Sequence, residues 1–369
     1  MNLLSDAAYW MAGALALVAL VAGAWLTSRT PRNWKGTLLN GLAVLVAGVM
    51  MITSVGLVLN RQNGWYGSVR DLFQSAQSTT DNYGAGSPFE GAEVAAPAAP
   101  PPAATLPPLP SRERIQRFDV PTSVGHQTWN VTVILPSDYF APESSAKAYP
   151  VVYAGHGFPG NPQQYLEAFD IQKMGDNAVR ARSISPFITV IPNITPTGGD
   201  SECITGPDDV QQLETWLAKD VPASMATRLR IAPGRTNAAW LGFSLGGWCG
   251  TMLTMRHPET FGAAAALGGY YQPWWVGPAP WPAGDARADG YDLVKMAADK
   301  PPAVALWIQS SKKDTQSWPR TEQFLKAVKP PLSVTAVIDS SGGHNFSGWV
   351  GHGPAVLTWL GETVPGFKA

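Results

Sequence analysis

The chain has 369 residues, enough for one large domain or two ordinary ones with a substantial buried core. Its formal net charge is -1 and only 14% of its residues are charged, so the composition gives no reason to expect nucleic acid or another strongly charged partner. The low charge content owes much to the N-terminal region, where the first predicted elements lie.

Two apolar stretches near the N-terminus are long enough to cross a membrane. Residues 7–27 and 38–59 contain no charged side chain, and about 20 apolar helical residues span a hydrocarbon core of about 30 Å. We therefore expect two transmembrane helices. The alternatives are a cleaved signal peptide followed by one anchor, or a buried helical hairpin. A signal peptide should begin with positive charge, whereas the only charged side chain before the first stretch is that of Asp6.

The connection between these stretches sets the expected orientation. It carries Arg29, Arg32 and Lys35, and loops rich in basic residues stay in the cytoplasm. We therefore expect a multi-pass protein of the cell membrane, with both chain ends and the domain that follows on the extracytoplasmic side.

Residues 63–111 are predicted to connect a membrane anchor, residues 1–62, to a globular domain. Their first part, up to about residue 77, can form a short amphipathic helix against the membrane or against the domain. Residues 84–111 are rich in proline and alanine, which cannot build a core and favour an extended, semi-rigid spacer. The globular domain is expected over residues 112–369.

In this domain strand-like and helix-like stretches alternate, which is the pattern of an α/β fold with a mostly parallel sheet. Alternating polarity predicts two antiparallel strands first, and short β-branched runs then predict buried strands. The predicted strands lie near residues 114–120, 128–136, 149–155, 187–193, 236–243, 261–269, 303–311 and 332–340. The predicted helices lie near residues 210–221, 245–259, 318–328 and 353–364.

The stretch "GFSLG" places Ser244 between two glycines, after a predicted strand and before a predicted helix. This setting projects a serine hydroxyl from the top of a sheet, and the flanking Gly242 and Gly246 leave room for the tight turn. Because the pattern also occurs by chance, a buried turn serine is the alternative. We interpret Ser244 as a nucleophile.

A serine hydroxyl is a weak nucleophile and needs a base, normally a histidine. His344 directly follows the last predicted strand, where a loop can bring it over the sheet. His257 and His352 lie at predicted helix ends, where a structural or surface role is expected. We therefore assign His344 as the base.

The base needs a carboxylate that fixes its tautomer and stabilises the imidazolium. Asp314 comes just after the predicted strand that precedes the last one, and we assign it as the acid. Glu322 and Asp339 are rivals, and a solvated loop aspartate is the alternative.

The tetrahedral intermediate needs two backbone donors. The amide of Leu245 is expected to be one, and Phe158 in "GHGFPG", residues 155–160, the other. His156 of this stretch is expected in the substrate pocket. The stretch also matches G-x-G-x-x-G, but Pro159 interrupts the helix that a dinucleotide needs, so a nucleotide-dependent enzyme is a weaker alternative.

A region rich in tryptophan and proline lies between two predicted core strands. It suits a lid or the wall of a substrate pocket lined by Trp274, Trp275 and Trp281, and a packed surface loop is the alternative. Neither reading is preferred from the sequence.

No metal or other cofactor is expected. Cys203 and Cys249 are the two cysteines, whereas zinc would need more ligands of this type. On the outer face of a membrane we expect them to form a disulfide, with two separate buried cysteines as the alternative. Residues 198–209 carry four carboxylates without the spacing of a calcium loop, so we prefer a solvated loop near the pocket rim.

Taken together, residues 112–367 resemble the α/β-hydrolase esterase family that includes esterase D and the antigen 85 mycolyltransferases of actinobacteria. The region before them is similar to that of membrane-anchored actinobacterial esterases of this group. The stretches that carry the resemblance are "GHGFPG", "DSEC", "LETWLAKDVP", "WLGFSLGGWCGTMLTMRHPETFGAAAALGG", "GGHNFSGW" and, in the membrane part, "NRQNGWYGSVRDLF".

The resemblance implies an α/β-hydrolase fold with Ser244 as nucleophile, His344 as base and Asp314 as acid. The mycolyltransferases have a glutamate as the acid, so Asp314 favours hydrolysis over acyl transfer. We expect a membrane-tethered serine esterase acting on a carboxylic ester, such as a membrane lipid or an envelope glycolipid. An acyltransferase and a catalytically silent binding module are the alternatives.

Overall fold

The structure is a computed structural model that describes residues 6–30, 33–63, 77–89, 106–206, 212–275, 280–281 and 284–369. The chain divides into two compact units. The smaller unit contains residues 1–77, 311–316 and 339–345, and the larger unit contains the remaining residues.

Two long helices dominate the smaller unit. Helix α1 spans Asp6–Arg29 and helix α2 spans Trp34–Asn63. They pack against each other, and most of their large apolar side chains are exposed. Both are long and apolar enough to cross a membrane, and a signal sequence near the N-terminus would have the same character. They are therefore candidate membrane spans.

Among the residues that the structure describes, nine strands form one sheet. They are β1 Ser78–Gly84, β2 Ile115–Pro121, β3 Thr128–Ile134, β4 Val151–Gly155, β5 Ile188–Pro192, β6 Ala238–Phe243, β7 Ala263–Leu267, β8 Ala305–Ser311 and β9 Ser333–Asp339. Their order is β1-β9-β8-β7-β6-β4-β5-β3-β2. Strand β3 is antiparallel to β2 and β5, whereas β4, β5, β6, β7 and β8 run parallel. The mostly parallel sheet confirms the predicted α/β class.

Helices cover both faces of this sheet. They are α3 Gln163–Glu167, α4 Ile171–Arg180, α5 Leu213–Thr215, α6 Val221–Ala226, α7 Leu245–Arg256, α8 Ala286–Asp289, α9 Leu293–Asp299, α10 Trp318–Ala327 and α11 Phe346–Thr363. In β4, Val151 and Tyr153 enter one core cluster while Val152 and Ala154 enter the other. Because successive side chains point to opposite faces, a strand that is buried on both sides has a continuous run of apolar residues in its sequence.

Two helices extend beyond their predicted bounds. The helix predicted near residues 210–221 begins at Leu213 and continues through a π-helical turn to Ala226. Helix α11 begins at Phe346 rather than at residue 353, although its first turns are rich in glycine. Trp349 on these turns stacks on Phe243 at 5.6 Å, so tertiary packing outweighs the low helix propensity of glycine there.

Strand β1 lies in the segment that the sequence assigns to the connection between anchor and domain. It pairs beside β9, and Thr335 Oγ1 donates a hydrogen bond to Asn82 Oδ1 at 3.1 Å. Phe89 is buried, with the guanidinium of Arg235 5.5 Å from its ring centroid. Residues 78–89 therefore pack on the globular sheet and do not act as a spacer.

Much of the remaining connection lies outside the described residues. This applies to residues 64–76 of the expected amphipathic helix and to residues 90–105 of the segment rich in proline and alanine. The boundaries of anchor, connection and domain stay predictions.

Candidate active site

Ser244 occupies a sharp turn between β6 and α7. Its φ of 54° and ψ of -121° lie in a region that non-glycine residues rarely adopt. The backbone N–H of Ser244 donates to the carbonyl of Leu267 on β7 at 2.8 Å, which fixes the turn against the neighbouring strand. Strain of this kind persists only where the surrounding structure enforces it, and it concentrates at functional sites.

Only glycine fits at the positions around Ser244, because neighbouring segments approach so closely there that a Cβ atom would collide with them. A Cβ on Gly242 would lie 2.0 Å from the carbonyl oxygen of Gly246, and a Cβ on Gly246 would lie 1.8 Å from that of Gly155. A Cβ on Gly157 would lie 3.5 Å from Cβ of Ser244. The loop that follows β4 is therefore packed directly against the Ser244 turn.

Gly246→Ala is expected to destabilise the fold by about 3 kcal/mol, because the added methyl group meets a backbone carbonyl that no side-chain rotation can move. Urea unfolding followed by circular dichroism measures this loss. The matched control is Gly351→Ala in helix α11, where an added Cβ meets nothing within 4 Å and alanine is the better helix former. An unchanged unfolding midpoint for Gly246→Ala would contradict the close packing of the turn.

The two expected oxyanion donors flank this turn. Leu245 is the first residue of α7, where a backbone N–H has no acceptor within the helix. Phe158 lies in the loop after β4, is half-buried, and packs against the larger core cluster. These positions leave both amides as candidates for binding an anion beside Ser244.

The side chain of His156 lies inside the protein. It has no exposed surface, its Nδ1 lies 2.9 Å from the carbonyl of Gly157, and its Nε2 accepts the backbone N–H of Ile194 at 3.2 Å. Since Nε2 accepts, Nδ1 carries the proton and donates to Gly157. Burial lowers the pKa of His156, while the hydrogen bond to Gly157 and the nearby side-chain oxygen of Asn193 act in the opposite direction. The ring thus joins the loop after β4 to the loop after β5 and is not open to a pocket.

Asp314 and His344, both in the smaller unit, form a hydrogen-bonded pair. His344 Nδ1 lies 2.8 Å from Asp314 Oδ2, and Asp314 is only 2% exposed. Asp314 Oδ1 accepts the backbone N–H of Gln316 at 2.9 Å. The loop carrying His344 is held by Ser311, whose Oγ donates to the carbonyl of Gly342 at 2.7 Å. A carboxylate on Nδ1–H leaves Nε2 of His344 as a proton acceptor.

The rival residues have other partners. Glu322 is exposed on α10 and pairs with Lys326 one turn later at 3.3 Å. His257 Nε2 lies 2.8 Å from Glu214, and His352, within α11, packs beside Trp307 with ring centroids 5.9 Å apart. The Asp314–His344 pair is therefore the candidate acid and base.

The three tryptophans of the predicted pocket wall differ in exposure. Trp281 is buried, stacks on Tyr291 at 5.2 Å, and meets Trp275 edge-on at 6.2 Å. Trp274 is 36% exposed, and the guanidinium of Arg320 lies 4.3 Å from its ring centroid. Trp274 is therefore the ring of the three best placed to meet a ligand. Residues 276–279 and 282–283 of this region lie outside the described residues.

The expected disulfide between Cys203 and Cys249 is present, with the two Cα atoms 5.6 Å apart. It ties the loop after β5 to the second turn of α7, and the sequence separation is 46 residues. Closing a loop of that length in the unfolded chain is worth about 4 kcal/mol of stability.

Glu202, predicted to lie in a solvated loop, is instead fully buried with 0% exposure. Its Oε1 accepts the hydroxyl of Tyr270 at 2.8 Å, while its Oε2 is buried without a hydrogen bond. Burial, followed by the charge of Asp200, raises the pKa of Glu202 to about 8, against the effects of Tyr270, the backbone amide of Trp274 and Arg320. The burial of Glu202 was not predicted because the loop is rich in acidic residues, a composition typical of solvated loops.

This raised pKa predicts that stability falls as the pH rises. The folded protein keeps the Glu202 proton up to about pH 8, whereas the unfolded chain releases it near 4.5, so the folded state binds more protons between these values. The contribution of Glu202 to the unfolding free energy should fall by up to about 1.4 kcal/mol per pH unit. Below pH 6.5 the lowered pKa of His156 acts in the opposite sense.

Urea unfolding between pH 6.5 and 8 tests this prediction. Glu202→Gln should flatten the dependence, whereas Glu322→Gln, an exposed glutamate, should leave it unchanged. Equal slopes for the wild type and Glu202→Gln would contradict the assignment of the proton to Glu202.

A serine on a strained strand-to-helix turn of a mostly parallel sheet is the arrangement that defines an α/β-hydrolase. The family described as "Putative esterase" matches residues 123–350, more than half of the chain. The chain therefore belongs to this esterase family.

The MPT51 antigen of Mycobacterium leprae is 33% identical to the chain over 82 residues, which are 22% of this chain and 27% of that protein. The chain spans less than a third of the length of the curated relatives that it matches. The antigen supports the resemblance to the antigen 85 group.

Solved structures confirm the α/β-hydrolase fold. A ferulic acid esterase superposes with a TM-score of 0.57 at 19% identity, covering 68% of this chain and 98% of that one. An S-formylglutathione hydrolase from Agrobacterium tumefaciens gives a TM-score of 0.57 at 16% identity, covering 69% of this chain and 97% of that one. At these identities the similarity concerns the fold.

Proposed function

We propose that this chain is a membrane-tethered serine esterase that hydrolyses carboxylic esters through an acyl-enzyme. The observation that carries the proposal is the strained Ser244 turn, held by glycine-to-backbone contacts against the loop that contains Phe158. The buried Asp314–His344 pair supplies a carboxylate and an imidazole in the tautomer that a base requires.

In the proposed reaction the Oγ of Ser244 attacks the ester carbonyl while Nε2 of His344 takes its proton. Asp314 keeps Nδ1–H of His344 in place and stabilises the imidazolium. The amides of Leu245 and Phe158 donate hydrogen bonds to the oxyanion. His344 then protonates the leaving alcohol, and water, activated by the same imidazole, releases the acid from Ser244.

His156 acts in this scheme as a positioning residue and not as a wall of the substrate pocket. Its ring holds the carbonyl of Gly157 and the amide of Ile194 at once, which fixes the loop that presents Phe158. Trp274 contributes the exposed aromatic surface against which the substrate packs.

Helices α1 and α2 supply the proposed tether, with the catalytic domain on the extracytoplasmic side because the basic residues lie in their connection. A disulfide next to the site suits an oxidising compartment. Esters of membrane lipids or envelope glycolipids are the proposed substrates, since the tether keeps the site near them.

Hydrolysis is tested with the full-length chain in detergent, p-nitrophenyl butyrate, and a sugar acceptor added or omitted. We expect free butyric acid as the product in both cases, measured by mass spectrometry. Butyryl sugar as the dominant product would favour an acyltransferase of the mycolyltransferase type. No turnover by the folded chain would favour a catalytically silent binding module.

A further inference from the structure

Segment 193–203, which follows β5, holds the loop after β4 at two points. The backbone N–H of Ile194 donates to Nε2 of His156 at 3.2 Å. The Oγ1 of Thr195 donates to the carbonyl of Gly160 at 3.3 Å. These two contacts lie on either side of the residue that carries the second proposed oxyanion donor, so the segment sets the position of that donor.

The other end of segment 193–203 is attached to helix α7 by a covalent bond and a hydrogen bond. Cys203 is bonded to Cys249 on the second turn of the helix. The indole Nε1–H of Trp248 donates to the backbone carbonyl of Glu202 at 2.9 Å. Helix α7 begins at the residue whose amide is the first proposed donor. The segment therefore connects the loop of one donor with the helix of the other.

A buried hydroxyl group joins the two ends of this segment. The Oγ of Ser201 donates to the carbonyl of Ile194 at 2.6 Å and accepts the backbone N–H of Cys203 at 3.1 Å. All three residues are buried, so water does not compete for these hydrogen bonds. A displacement at Cys203 is therefore passed on to Ile194 and to the loop that Ile194 holds.

The backbone of the segment is strained where it meets the helix. Glu202 and Cys203 have φ angles of 45° and 53°, in the left-handed region that non-glycine residues rarely adopt. The carboxyl group of Glu202 is also fully buried, which costs free energy. Strain of this kind persists only where the surrounding structure enforces it. The disulfide to Cys249 is the strongest of the bonds that enforce it here.

We propose that segment 193–203 positions the two oxyanion donors relative to each other, and that the disulfide between Cys203 and Cys249 is required for this. The inference rests on the proposed esterase function, in which Leu245 and Phe158 are the donors. The residues of the segment are positioning residues, since they act through these amides. Oxyanion donors stabilise the transition state more than the bound substrate, so displacing them should lower kcat and leave KM unchanged.

Thr195→Val tests the contact with the loop after β4, because it removes the hydroxyl group at nearly constant volume. In the full-length chain in detergent, kcat for p-nitrophenyl butyrate should fall about tenfold at unchanged KM. Thr195→Ser keeps the hydroxyl and should restore kcat. The matched control is Thr254→Val in the last turn of α7, where a buried Oγ1 donates to the carbonyl of Ala263 at 3.4 Å. It should retain the wild-type kcat.

Cys203→Ala combined with Cys249→Ala tests the covalent attachment. This disulfide variant should lower kcat at least as much as Thr195→Val, again at unchanged KM, where circular dichroism shows a folded chain. Adding Thr195→Val to it should lower kcat by less than the product of the separate effects, because both changes act on the same segment. If the disulfide variant does not fold, Thr195→Val and its control decide.

Amide hydrogen exchange gives a second measurement that does not depend on turnover. The amides of residues 156–160 should exchange faster in Thr195→Val and in the disulfide variant than in the wild type and in Thr254→Val, as measured by mass spectrometry. Unchanged exchange, or an unchanged kcat in the folded variants, would overturn the proposal. An equal loss of kcat in Thr254→Val would also overturn it, because reduced stability would then explain the result.

The two proposals can fail separately. A folded wild type that hydrolyses no ester, combined with exchange of residues 156–160 that depends on Thr195 and the disulfide, would reject the esterase and retain the coupling of the segment to the loop. Hydrolysis whose kcat is unaffected by either change would retain the esterase and reject the positioning role.

Discussion

Ser244→Ala is expected to lower kcat for ester hydrolysis by about 10⁶-fold, which is the scale of loss when the nucleophile of a serine hydrolase is removed. Without the hydroxyl no acyl-enzyme can form, and only the oxyanion donors and substrate binding remain. The fold should be retained, since alanine removes one oxygen and the turn is fixed by Gly242, Gly246 and the bond from its backbone N–H to Leu267.

Initial rates with p-nitrophenyl butyrate measure this loss, and circular dichroism checks the fold. Ser145→Ala is the matched control, because Ser145 is an exposed serine on the surface of the same unit. If folded Ser244→Ala keeps more than about a hundredth of the wild-type rate, another group is the nucleophile.

The second large effect is expected for Asp314→Asn, which should lower kcat by about 10⁴-fold. The carboxylate of Asp314 accepts Nδ1–H of His344 at 2.8 Å. An amide in its place can donate to Nδ1, which places the imidazole proton on Nε2 and removes the proton acceptor. It also removes the negative charge that stabilises the imidazolium in the transition state.

Single-turnover acylation rates of Asp314→Asn isolate this step from product release. Asp299→Asn at the exposed end of α9 is the control and should match the wild type. A loss smaller than about tenfold would show that another group orients His344 and that Asp314 has only a structural role.

Most of the sheet could be predicted from the sequence because its strands carry local signals. Strands β4 to β8 are short apolar runs bounded by turn residues, and each lies within or close to its predicted range. Ser244 was recognisable for the same reason, since two glycines, a strand and a helix all lie within a few residues of it. Asp314 and His344 could be proposed as a pair because each lies a few residues beyond the end of a strand, and in the structure the two side chains are hydrogen-bonded.

Features that depend on distant contacts could not be predicted. Strand β1 has mostly polar, exposed side chains, so nothing local distinguishes it from a linker. Glu202 stands in an acidic loop, and its burial arises from Tyr270 and Trp248, which are far away in sequence. His156 is fixed by Ile194, a contact that only the fold creates.

The most direct test of the account is to locate a covalent adduct. The full-length chain in detergent is treated with a fluorophosphonate, and the modified peptide is identified by mass spectrometry, for the wild type and for Asp314→Asn. We predict one phosphonyl group per chain on Ser244, formed much more slowly in Asp314→Asn. A folded wild type that is not modified, or that is modified at another residue, would contradict the assignment of Ser244 as the nucleophile.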